Sequence, residues 1–455
     1  MSADYRRTSL AGWGRTNPST ALTAEVVPSE LAEHLKDSSG RGVLVRGLGR
    51  SYGDAAQNAG GRVLTLANRA AEAVLDEARH TVTVGAGVSL DELMRLIVPR
   101  GFFVPVTPGT RYVTVGGAIA SDIHGKNHHV EGSFGNHVER MSLMTASGDI
   151  VECAPATNQD LFWATIGGMG LTGVVLDATF RLIPIETSRC IVDTVRCRDF
   201  DQLITEMSTG DEDARYSVSW VDLLAAGKNF GRSVLWRGDH ARVTDLDSKS
   251  ASDPLGYSPR HLVTVPPVVP GRGFVNALTS RVFNELWFRK EPIRQSGQIK
   301  TIPSYFHPLD SVGAWNRLYG RGGFVQYQFV VPFGAEEVFR RIIERIVASR
   351  LASPLVVLKR FGAANEAPLS FPMPGWTLTV DMPADADGLA PLSHSLDELV
   401  LSAGGRHYFA KDAHTSAAVV RAGYPRLDEW KATRDKWDPQ GVFVSDLARR
   451  LELVG

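Results

Sequence analysis

The sequence predicts an α+β protein built from two or three packed units. A chain of 455 residues is too long for one ordinary hydrophobic core. Short β-type runs separated by glycines fill its first part, whereas dense β-type runs alternate with amphipathic helices in its second part. Since both kinds of element recur, we expect sheets that are covered by helices on one face.

The first part predicts a strand-rich lobe with one well-marked helix. The helix is predicted at residues 89–98, where apolar residues repeat at helical spacing and Ser89 with Glu92 forms a capping-box pattern. Residues 140–153 predict a hairpin around a Ser-Gly-Asp turn. Further strands are predicted at residues 42–45, 62–66, 81–84 and 174–185.

The second part predicts a sheet with covering helices. Helices are predicted at residues 335–347, where apolar residues share one face, and at residues 392–402, before a glycine pair. Residues 247–273 are rich in Ser, Pro and Gly with little periodicity, and we interpret them as a mobile loop. Strands are predicted at residues 323–331, 355–361 and 376–381.

Composition excludes several classes of function. Lysine and arginine number 49 against 50 acidic residues, and the formal net charge of −1 provides no basic field to attract nucleic acid. The three cysteines lack metal-type spacing, and their odd number argues against a disulfide framework. We therefore expect no nucleic-acid partner and a reducing compartment.

The N-terminus and the apolar runs bear on location. Residues 1–10 are polar and lack the apolar core of a secretory signal. No window approaches the roughly 18 uncharged apolar residues of a spanning helix. We therefore expect a cytoplasmic protein that allows peripheral membrane association, with the side of the cell envelope left open.

Three glycine clusters favour a large anionic cofactor. The first, residues 46–54, follows a strand, and its glycines allow a sharp turn that presents consecutive N–H groups to a pyrophosphate. It matches neither the GxGxxG fingerprint nor a P-loop. The second, residues 108–121, predicts a helix N-terminus capped by Thr114, with free N–H groups. The third, residues 167–173, is predicted to present free N–H groups in the same way. For each cluster, the alternative is a tight turn or close packing.

A fourth segment, residues 122–137, is rich in histidine. The spacing of His124, His128 and His129 lacks a helical metal-binding pattern, and the neighbouring glycines suit a loop that lines a pocket. We expect these groups to orient a flavin and an oxygen-rich substrate, without a metal. A metal-dependent hydrolase is the alternative from another class.

Lys411 lies in a new segment that begins after the glycine pair expected to end the helix at residues 392–402. A lysine beside a flavin can stabilise charge on the reduced ring or hold a substrate hydroxyl for deprotonation. A single lysine is also most often a solvated surface group. The residues alone leave both interpretations open.

Taken together, the motifs resemble the vanillyl-alcohol-oxidase type of FAD enzyme, and within it the oxidase subunits of decaprenylphosphoryl-β-D-ribose 2-epimerases. The resemblance runs through nearly the whole chain, and such an ordered set is highly specific. Its motifs are GWGR at 12–15, RGLGRSYGD at 46–54, residues 108–114, IASDIHGKNHH at 119–129, GSFGNHV at 132–138, LFWATIGG at 161–168, FHPLD at 306–310, and residues 324–329, 367–374 and 446–451.

The resemblance implies a two-lobed FAD-binding domain with an inserted substrate domain built on an antiparallel sheet with helices. Residues 1–187 and 406–455 would form the FAD-binding domain, and residues 188–405 the substrate-binding domain. The implied reaction oxidises the ribose 2-hydroxyl of a polyprenyl-phosphoryl-β-D-ribose to the 2-keto sugar by hydride transfer to FAD. An NADH-dependent keto-reductase partner would then give the arabinose precursor of the cell wall.

Two other activities stay open beside this one. A soluble alditol or aldonolactone oxidase of the same superfamily would use oxygen and a small polyol. A nonenzymatic lipid-phosphate binder would use the glycine loops only as anion sites. Tightly bound flavin separates the binder from the two oxidases, and anaerobic bleaching by each substrate class separates the oxidases from each other.

The resemblance also implies site residues, carried over by position. The candidate catalytic residues are Lys411, the first choice of base, His124, the alternative, and Tyr52. The candidate FAD contacts are Val45, Arg46, Gly47, Leu48, Gly49, Arg50, Ser51, Tyr52, Gly53, Asp54, Ala55, Gly109, Thr114, Val115, Gly116, Gly117, Ser121, Asp122, Ile123, His124, Val175 and Tyr408. The candidate substrate contacts are Lys126, Trp220, Phe306, Gln328, Lys359, Thr379 and Lys411.

Three positions set this chain apart within the resemblance. Many relatives attach FAD covalently through a histidine of the first glycine loop, where this chain has Arg50, so noncovalent FAD is implied. The mycobacterial enzymes have a cysteine and a tyrosine where this chain has Thr379 and Phe306. Both changes alter polarity near the expected substrate site, where Lys126 and Lys359 are expected to neutralise a phosphate.

Overall fold

The computed structural model describes residues 4–36, 40–67, 72–269, 271, 273–351 and 354–454. Within these ranges the chain forms sheets of four, five and eight strands, together with two two-stranded pairs. Helices pack on the sheets, so the predicted α+β class is confirmed. None of the helices in the described ranges combines the length and the apolar character needed to cross a bilayer.

The two smaller sheets belong to the first part of the chain, with strand orders β1-β2-β4-β3 and β5-β6-β10-β8-β9. The strands are β1 (Arg6–Leu10), β2 (Ser19–Val26), β3 (Val43–Val45), β4 (Arg62–Leu66), β5 (Val74–Asp76), β6 (Thr81–Gly85), β7 (Phe102–Phe103), β8 (Val138–Met144), β9 (Ile150–Cys153), β10 (Val174–Arg181) and β11 (Ile183–Pro184). The helices are α1 (Leu31–Lys36), α2 (Leu90–Ile97), α3 (Val115–Ala120), α4 (His128–Glu131) and α5 (Gln159–Thr165).

The predicted elements of this part are confirmed, except that the strand predicted at residues 174–185 is divided into β10 and β11, which belong to different sheets. Ser89 caps α2, and its side chain and that of Glu92 each accept a bond from the other residue's backbone N–H, as in a capping box. Strands β8 and β9 form the predicted hairpin, and Gly148 in its turn has φ +88°. Apolar residues of α2 and α3, such as Leu93 and Ile119, are fully buried in one core with the five-stranded sheet.

An eight-stranded antiparallel sheet dominates the second part, with the order β16-β12-β14-β13-β19-β20-β18-β21. The strands are β12 (Arg189–Cys197), β13 (Tyr216–Val221), β14 (Ser233–His240), β15 (Val263–Thr264), β16 (Arg294–Thr301), β17 (Val312–Gly313), β18 (Phe324–Pro332), β19 (Val356–Phe361), β20 (Gly375–Pro383) and β21 (Arg406–His407). The helices are α6 (Phe200–Gly210), α7 (Ser248–Ala251), α8 (Ala277–Lys290), α9 (Ile302–Phe306), α10 (Glu336–Ser349), α11 (Leu389–Ser402), α12 (Ala417–Gly423), α13 (Leu427–Trp437) and α14 (Asp446–Arg450).

The two faces of the eight-stranded sheet differ because side chains alternate along each strand. One face, which we call the apolar sheet face, buries residues such as Phe329 and Leu378 against α6, α10 and α11. The other, which we call the polar sheet face, carries Gln326 and Gln328 of β18 in register with Asp381 and Thr379 of β20. The helix residues that cover the apolar sheet face include the four predicted for α10, namely Phe339, Ile342, Ile343 and Ile346.

The strands and helices predicted in this part are confirmed, and the largest boundary shift is at α11. Helix α11 begins at Leu389, earlier than the predicted residue 392, after Gly388 in the left-handed region at φ +87°. Residues 247–273 are mostly irregular, as predicted, but contain α7 and β15, which pairs in parallel with β17. Pro270 and Arg272 of this segment lie outside the described residues. The mobility of the segment stays a prediction.

The C-terminal segment returns to the first glycine loop and its sheet. The N–H of Tyr52 donates to the carbonyl of Ala410 at 2.8 Å. Arg450 of α14 pairs with Asp54 at 2.7 Å and with Asp412 at 3.0 Å. The chain end therefore holds the loop and brings the segment of residues 408–412 beside it.

Candidate active site

The first glycine loop, residues 46–54, fits tightly against its neighbours. A Cβ built on Gly47 would lie 2.3 Å from the Thr114 hydroxyl oxygen, and one on Gly53 would lie 2.0 Å from the carbonyl oxygen of Asp412. Gly49 has φ +63°. Close approach and a left-handed backbone therefore require glycine at these positions.

The backbone amides of this loop match the predicted anion site. Its two ends are anchored, because the N–H of Arg46 donates to Leu64 and that of Tyr52 to Ala410. Between them, the N–H groups of residues 47–51 donate to no acceptor among the described residues. Consecutive free N–H groups are the feature that binds an anion such as a pyrophosphate.

The second glycine cluster uses its amides within the protein. Thr114 caps α3 as predicted, since its hydroxyl accepts the N–H of Gly117 at 3.1 Å. The N–H groups of Val115 and Gly116 donate at 2.8 Å to carbonyls between β6 and α2. The prediction of free N–H groups at this helix is therefore wrong, because the adjacent chain already supplies acceptors.

The third glycine cluster is a packing feature. The N–H groups of Gly167 and Met169 donate to carbonyls at the end of α3, at 3.0 and 2.8 Å. A Cβ on Gly168 would lie 2.2 Å from the carbonyl oxygen of Ala164. The anion-binding interpretation is wrong for Gly167 and Met169, and the close-packing alternative describes this cluster.

Arg50 lies between aromatic rings at the edge of the first loop. Its guanidinium carbon is 4.0 Å from the centre of the Trp13 ring and 5.3 Å from that of Tyr112. Burial lowers the pKa of Arg50, and the charge of Asp310 opposes that effect. Its buried Nε has no hydrogen-bond partner among the described residues, which fits a site for a bound polar group.

Three half-buried lysines lie close enough for their charges to interact. Burial, followed by the charges of Lys126 and Lys411, lowers the pKa of Lys359 to about 7. Burial also lowers the pKa of Lys126 to about 8 and that of Lys411 to about 7. An anion placed between Lys126 and Lys359 would relieve their repulsion and favour the protonated forms of these two amines.

Lys411 and Tyr52 form one unit of the site. The Lys411 ammonium nitrogen lies 3.8 Å from the centre of the Tyr52 ring, which packs edge-on against Phe324 at 5.5 Å. Burial, followed by the charge of Asp381, raises the pKa of Tyr52 well above 10. The phenol is therefore neutral at physiological pH.

Asp381 is a candidate that the sequence analysis missed. Its fully buried carboxylate accepts bonds from Gln326 at 2.5 Å and from Tyr319 at 3.1 Å. Burial raises the pKa of Asp381 to about 7, and its negative charge in turn raises the pKa of Lys411. The signal in the sequence was the polar residue at every second position of β20, which indicates a strand face turned toward a site.

His124 faces the polar sheet face as a neutral ring. The Gln328 amide nitrogen lies 3.0 Å from His124 Nε2 and 3.2 Å from the Thr377 hydroxyl oxygen, so the amide donates to both. Burial, followed by the charge of Lys359, lowers the pKa of His124 well below 6.5. His124 Nδ1 is buried and has no hydrogen-bond partner among the described residues.

The other predicted substrate contacts lie around the same face. Lys126 donates to the carbonyl of Phe306 at 3.2 Å, and its nitrogen lies 5.5 Å from the centre of that ring. Thr379 is in register with Gln328, and Val357 is in register with both Thr379 and Trp220. Trp220 and Thr379 therefore project to one side of the sheet, while the Trp220 indole donates to the carbonyl of Pro354 at 2.7 Å.

Several predicted FAD contacts already have partners inside the protein. The Arg46 guanidinium donates to two backbone carbonyls, and Asp54 pairs with Arg450. The buried Asp122 carboxylate accepts four different donors, including the N–H of Gly135 at 2.8 Å. Tyr408 donates its hydroxyl to the carbonyl of Ser121 at 2.8 Å. These groups hold the loops in place through their side chains.

The remaining predicted FAD contacts differ in exposure. A Cβ on Gly109 would meet nothing within 4 Å, so this glycine faces open space. Leu48 is 50% exposed, whereas Ala55, Ile123 and Val175 are buried. Val45, which precedes the first glycine loop, and Ser51, which lies within it, are half-buried.

The histidines of the fourth segment have separate partners. His128 Nδ1 accepts the N–H of Gly362 at 3.1 Å, and His129 Nε2 donates to the carbonyl of Ala214 at 2.8 Å. In the described part of the chain, no three or more His, Cys, Asp and Glu side chains are grouped so as to hold a metal ion. The geometry therefore gives the metal-dependent hydrolase no support.

Comparisons with known proteins agree with this arrangement. A family model described as "FAD binding domain" matches residues 28–154, and the model of D-arabinono-1,4-lactone oxidase matches residues 324–451. Decaprenylphosphoryl-β-D-ribose oxidase of Mycolicibacterium smegmatis is 47% identical over 98% of this chain and 97% of its own. Alditol oxidase of a Streptomyces species is 25% identical over 98% of this chain and 99% of its own.

Proposed function

Since this chain belongs to the family of decaprenylphosphoryl-β-D-ribose oxidase and is an FAD-dependent oxidoreductase, we propose that it oxidises the ribose 2-hydroxyl of a polyprenyl-phosphoryl-β-D-ribose. The product is the 2-keto sugar, the first half of an epimerisation to the arabinose cell-wall precursor. The observation that carries the proposal is the group of three half-buried lysines beside the polar sheet face, in a chain 47% identical to that oxidase. Such a group suits a sugar that bears a phosphate.

FAD, when bound, accepts the hydride from the sugar carbon. The residues present fit this cofactor, because the free N–H groups of residues 47–51 suit its diphosphate. The unpartnered Arg50 Nε and His124 Nδ1 are further donors for its polar groups, because Arg50 Nε only donates and His124 Nδ1 carries the ring proton when Nε2 accepts. We propose that FAD is held noncovalently, since Arg50 stands where many relatives carry the linking histidine.

Lys411 is proposed to take the proton of the sugar hydroxyl. Burial lowers the pKa of Lys411 to about 7, so a large fraction of the amine is neutral and able to accept a proton near neutral pH. The Tyr52 ring packs against the amine, whose nitrogen lies 3.8 Å from the ring centre. His124 is the alternative base, and its neutral ring with an accepting Nε2 suits hydrogen bonding better than proton storage.

Lys126 and Lys359 are proposed to neutralise the substrate phosphate. Both amines are half-buried and repel other cations, so an anion gains more from them than from surface lysines. Gln328 and Thr379 would contact the sugar from the sheet, with Trp220 and Phe306 forming apolar walls. This assignment divides the chain into a FAD-binding domain of residues 1–187 and 406–455 and a substrate-binding domain of residues 188–405.

The proposed reaction has implications for partners and location. A keto sugar must be reduced to complete an epimerisation, so we infer a separate NADH-dependent keto-reductase partner. A polyprenyl chain resides in a bilayer, so the enzyme must work at a membrane surface from its cytoplasmic or outer side. Peripheral contact satisfies this requirement.

Alditol oxidation is the second candidate, because alditol oxidase of a Streptomyces species aligns with 98% of this chain. Its 25% identity is well below the 47% of the ribose oxidase. A neutral polyol also offers no anion for Lys126 and Lys359. The phosphate-bearing substrate is therefore favoured.

An absorbance spectrum of the purified protein, followed by anaerobic titration, tests both cofactor and substrate. We expect a yellow protein that releases FAD on denaturation and is bleached by a polyprenyl-phosphoryl ribose. A matched titration uses a small alditol at the same concentrations. A colourless protein would refute the proposed redox function. Faster bleaching by the alditol than by the polyprenyl-phosphoryl ribose would make an alditol the preferred substrate.

A further inference from the structure

Helix α8 has the reverse exposure of an ordinary surface helix, which buries its apolar side and exposes its polar side. The residues that it buries are polar, since Ser280 and Asn284 are 2% and 1% exposed. Its apolar residues Leu278, Val282 and Leu286 are 72%, 53% and 65% exposed. Spaced four residues apart, these three side chains form one stripe along the helix. The packing of α8 therefore leaves its apolar side uncovered.

The segment before α8 adds further exposed apolar side chains. In a soluble monomer, large contiguous apolar patches are rare and mark interaction sites. Leu262 is the most exposed of this group, at 84%. Phe274 adjoins α8, because its carbonyl accepts the Thr279 hydroxyl at 2.7 Å. We call the exposed apolar residues of α8 and its start the docking surface, and its members are Phe274, Leu278, Val282, Phe283 and Leu286.

Cations flank the docking surface. Residues 277–301 carry five lysines and arginines against two glutamates, in a chain whose formal net charge is −1. Beside the end of α8, a groove of about 660 Å³ is lined by Arg196, Arg289, Lys290 and Lys300, with Glu291 as its acidic member. An apolar stripe beside a basic groove is the pattern of a helix that lies in the interface of an anionic bilayer.

Aromatic contacts link the docking surface to the polar sheet face. The Phe283 ring stacks on that of Trp287, with their centres 5.8 Å apart. The Trp287 ring packs edge-on against that of Trp236 of β14, with their centres 6.4 Å apart. Trp236 is in register with Val218, two residues from Trp220, so both tryptophans project to the polar sheet face. Helix α8 therefore contacts β14 on the same face whose central strands carry Lys359 and Thr379.

We propose that the docking surface and its flanking cations bind this chain to an anionic lipid bilayer, with α8 lying in the headgroup plane. The inference rests on the proposed function, because a lipid-linked sugar reaches the polar sheet face only if that face adjoins the bilayer. A second copy of the chain is the less suitable occupant. Symmetric pairing through this surface would bring two groups of cations together, whereas anionic headgroups neutralise them.

The test is flotation of the FAD-loaded enzyme with vesicles that contain phosphatidylcholine and phosphatidylglycerol at about 70:30. The phosphatidylglycerol supplies the negative surface charge that attracts basic segments. We expect wild type to float and the variant L278Q/V282Q/L286Q to lose at least about tenfold in bound fraction. R289Q/K290Q should lose about tenfold only at low salt. The matched control is V74Q/I150Q, which alters two residues that are 66% and 62% exposed on the five-stranded sheet and should float like wild type.

Two results would overturn the inference. One is equal flotation of wild type and L278Q/V282Q/L286Q. The other is absence of flotation together with a wild-type dimer that this variant turns into a monomer, which would assign the surface to a second copy. Flavin reduction by a short, water-soluble prenylphosphoryl ribose without vesicles tests the function separately. Flotation without reduction refutes the proposed function alone, and reduction without flotation refutes the membrane inference alone.

Discussion

The apolar and polar faces of the eight-stranded sheet are made by alternate residues of the same strands, yet they differ in how their chemistry arises. The apolar sheet face is covered by helices next to it in sequence, such as α10 between β18 and β19. The polar sheet face collects groups far apart in the chain, including Lys126, Asp381 and Lys411. Stability is therefore organised by neighbouring segments here, whereas the site is assembled by the fold from distant ones.

The largest expected effect is the loss of flavin reduction in Lys411→Met. A positioned general base contributes about 10²- to 10⁴-fold to a rate, so we expect anaerobic reduction by substrate to slow by about 10³-fold. Bound FAD, measured by absorbance, should be unchanged. Lys228→Met, which alters an exposed lysine, should reduce its flavin at the wild-type rate. If Lys411→Met reduced its flavin at the wild-type rate, Lys411 would not be the base.

Phe339→Ala should damage the opposite face alone. Truncating a fully buried phenylalanine costs about 3 to 5 kcal/mol, so the free energy of unfolding in urea should fall by that amount. The rate of flavin reduction under native conditions should stay within about twofold of wild type, because additive effects are the norm for distant sites. Val74→Ala, at a 66% exposed position, is the stability control. A large loss of rate in Phe339→Ala would show that the two faces are coupled.

The pH dependence of reduction should report the polar sheet face. The pKa of Lys411 is lowered to about 7, so the amine is protonated below this pH and neutral above it. A base must be neutral to accept a proton, so the rate constant should rise about tenfold per pH unit below 7 and level off above it. Stopped-flow reduction between pH 5 and 9 measures this profile. A rate that is flat over this range would remove an amine of this pKa from proton transfer.

The smallest effect expected is stabilisation by Lys359→Met. The folded-state pKa of Lys359, about 7, lies below the value of 10.5 for a free lysine, so the folded chain binds fewer protons between these values. Wild-type stability should therefore rise with pH across this window. At pH 7, methionine should add about 1 to 2 kcal/mol to the free energy of unfolding, a figure reduced for partial exposure, and the gain should shrink toward pH 10. Lys228→Met is again the control.

The sequence predicted most strands and helices because their signals lie within one window. The capping box of Ser89 and the apolar side of α10 are examples. The first glycine loop was predicted for the same reason. The second and third clusters failed as free anion sites because the acceptors of their N–H groups lie elsewhere in the chain, such as the carbonyl of Ile119 for Gly167. Composition alone does not show which amides are already occupied.

The site was only partly accessible to the same reasoning. Lys411 was singled out, but its 3.8 Å approach to Tyr52 depends on the contact between the first loop and the last segment. Asp381 escaped notice because its role depends on Gln326, a partner on the neighbouring strand. The inverted exposure of α8 could not be predicted, because its apolar spacing alone suggests a buried side.

The hydrogen bond from Tyr52 to Ala410 joins the beginning of the chain to its end. A truncation upstream of Ala410 would therefore remove two features in one step, namely the carbonyl that anchors the first glycine loop and the lysine that we propose as the base.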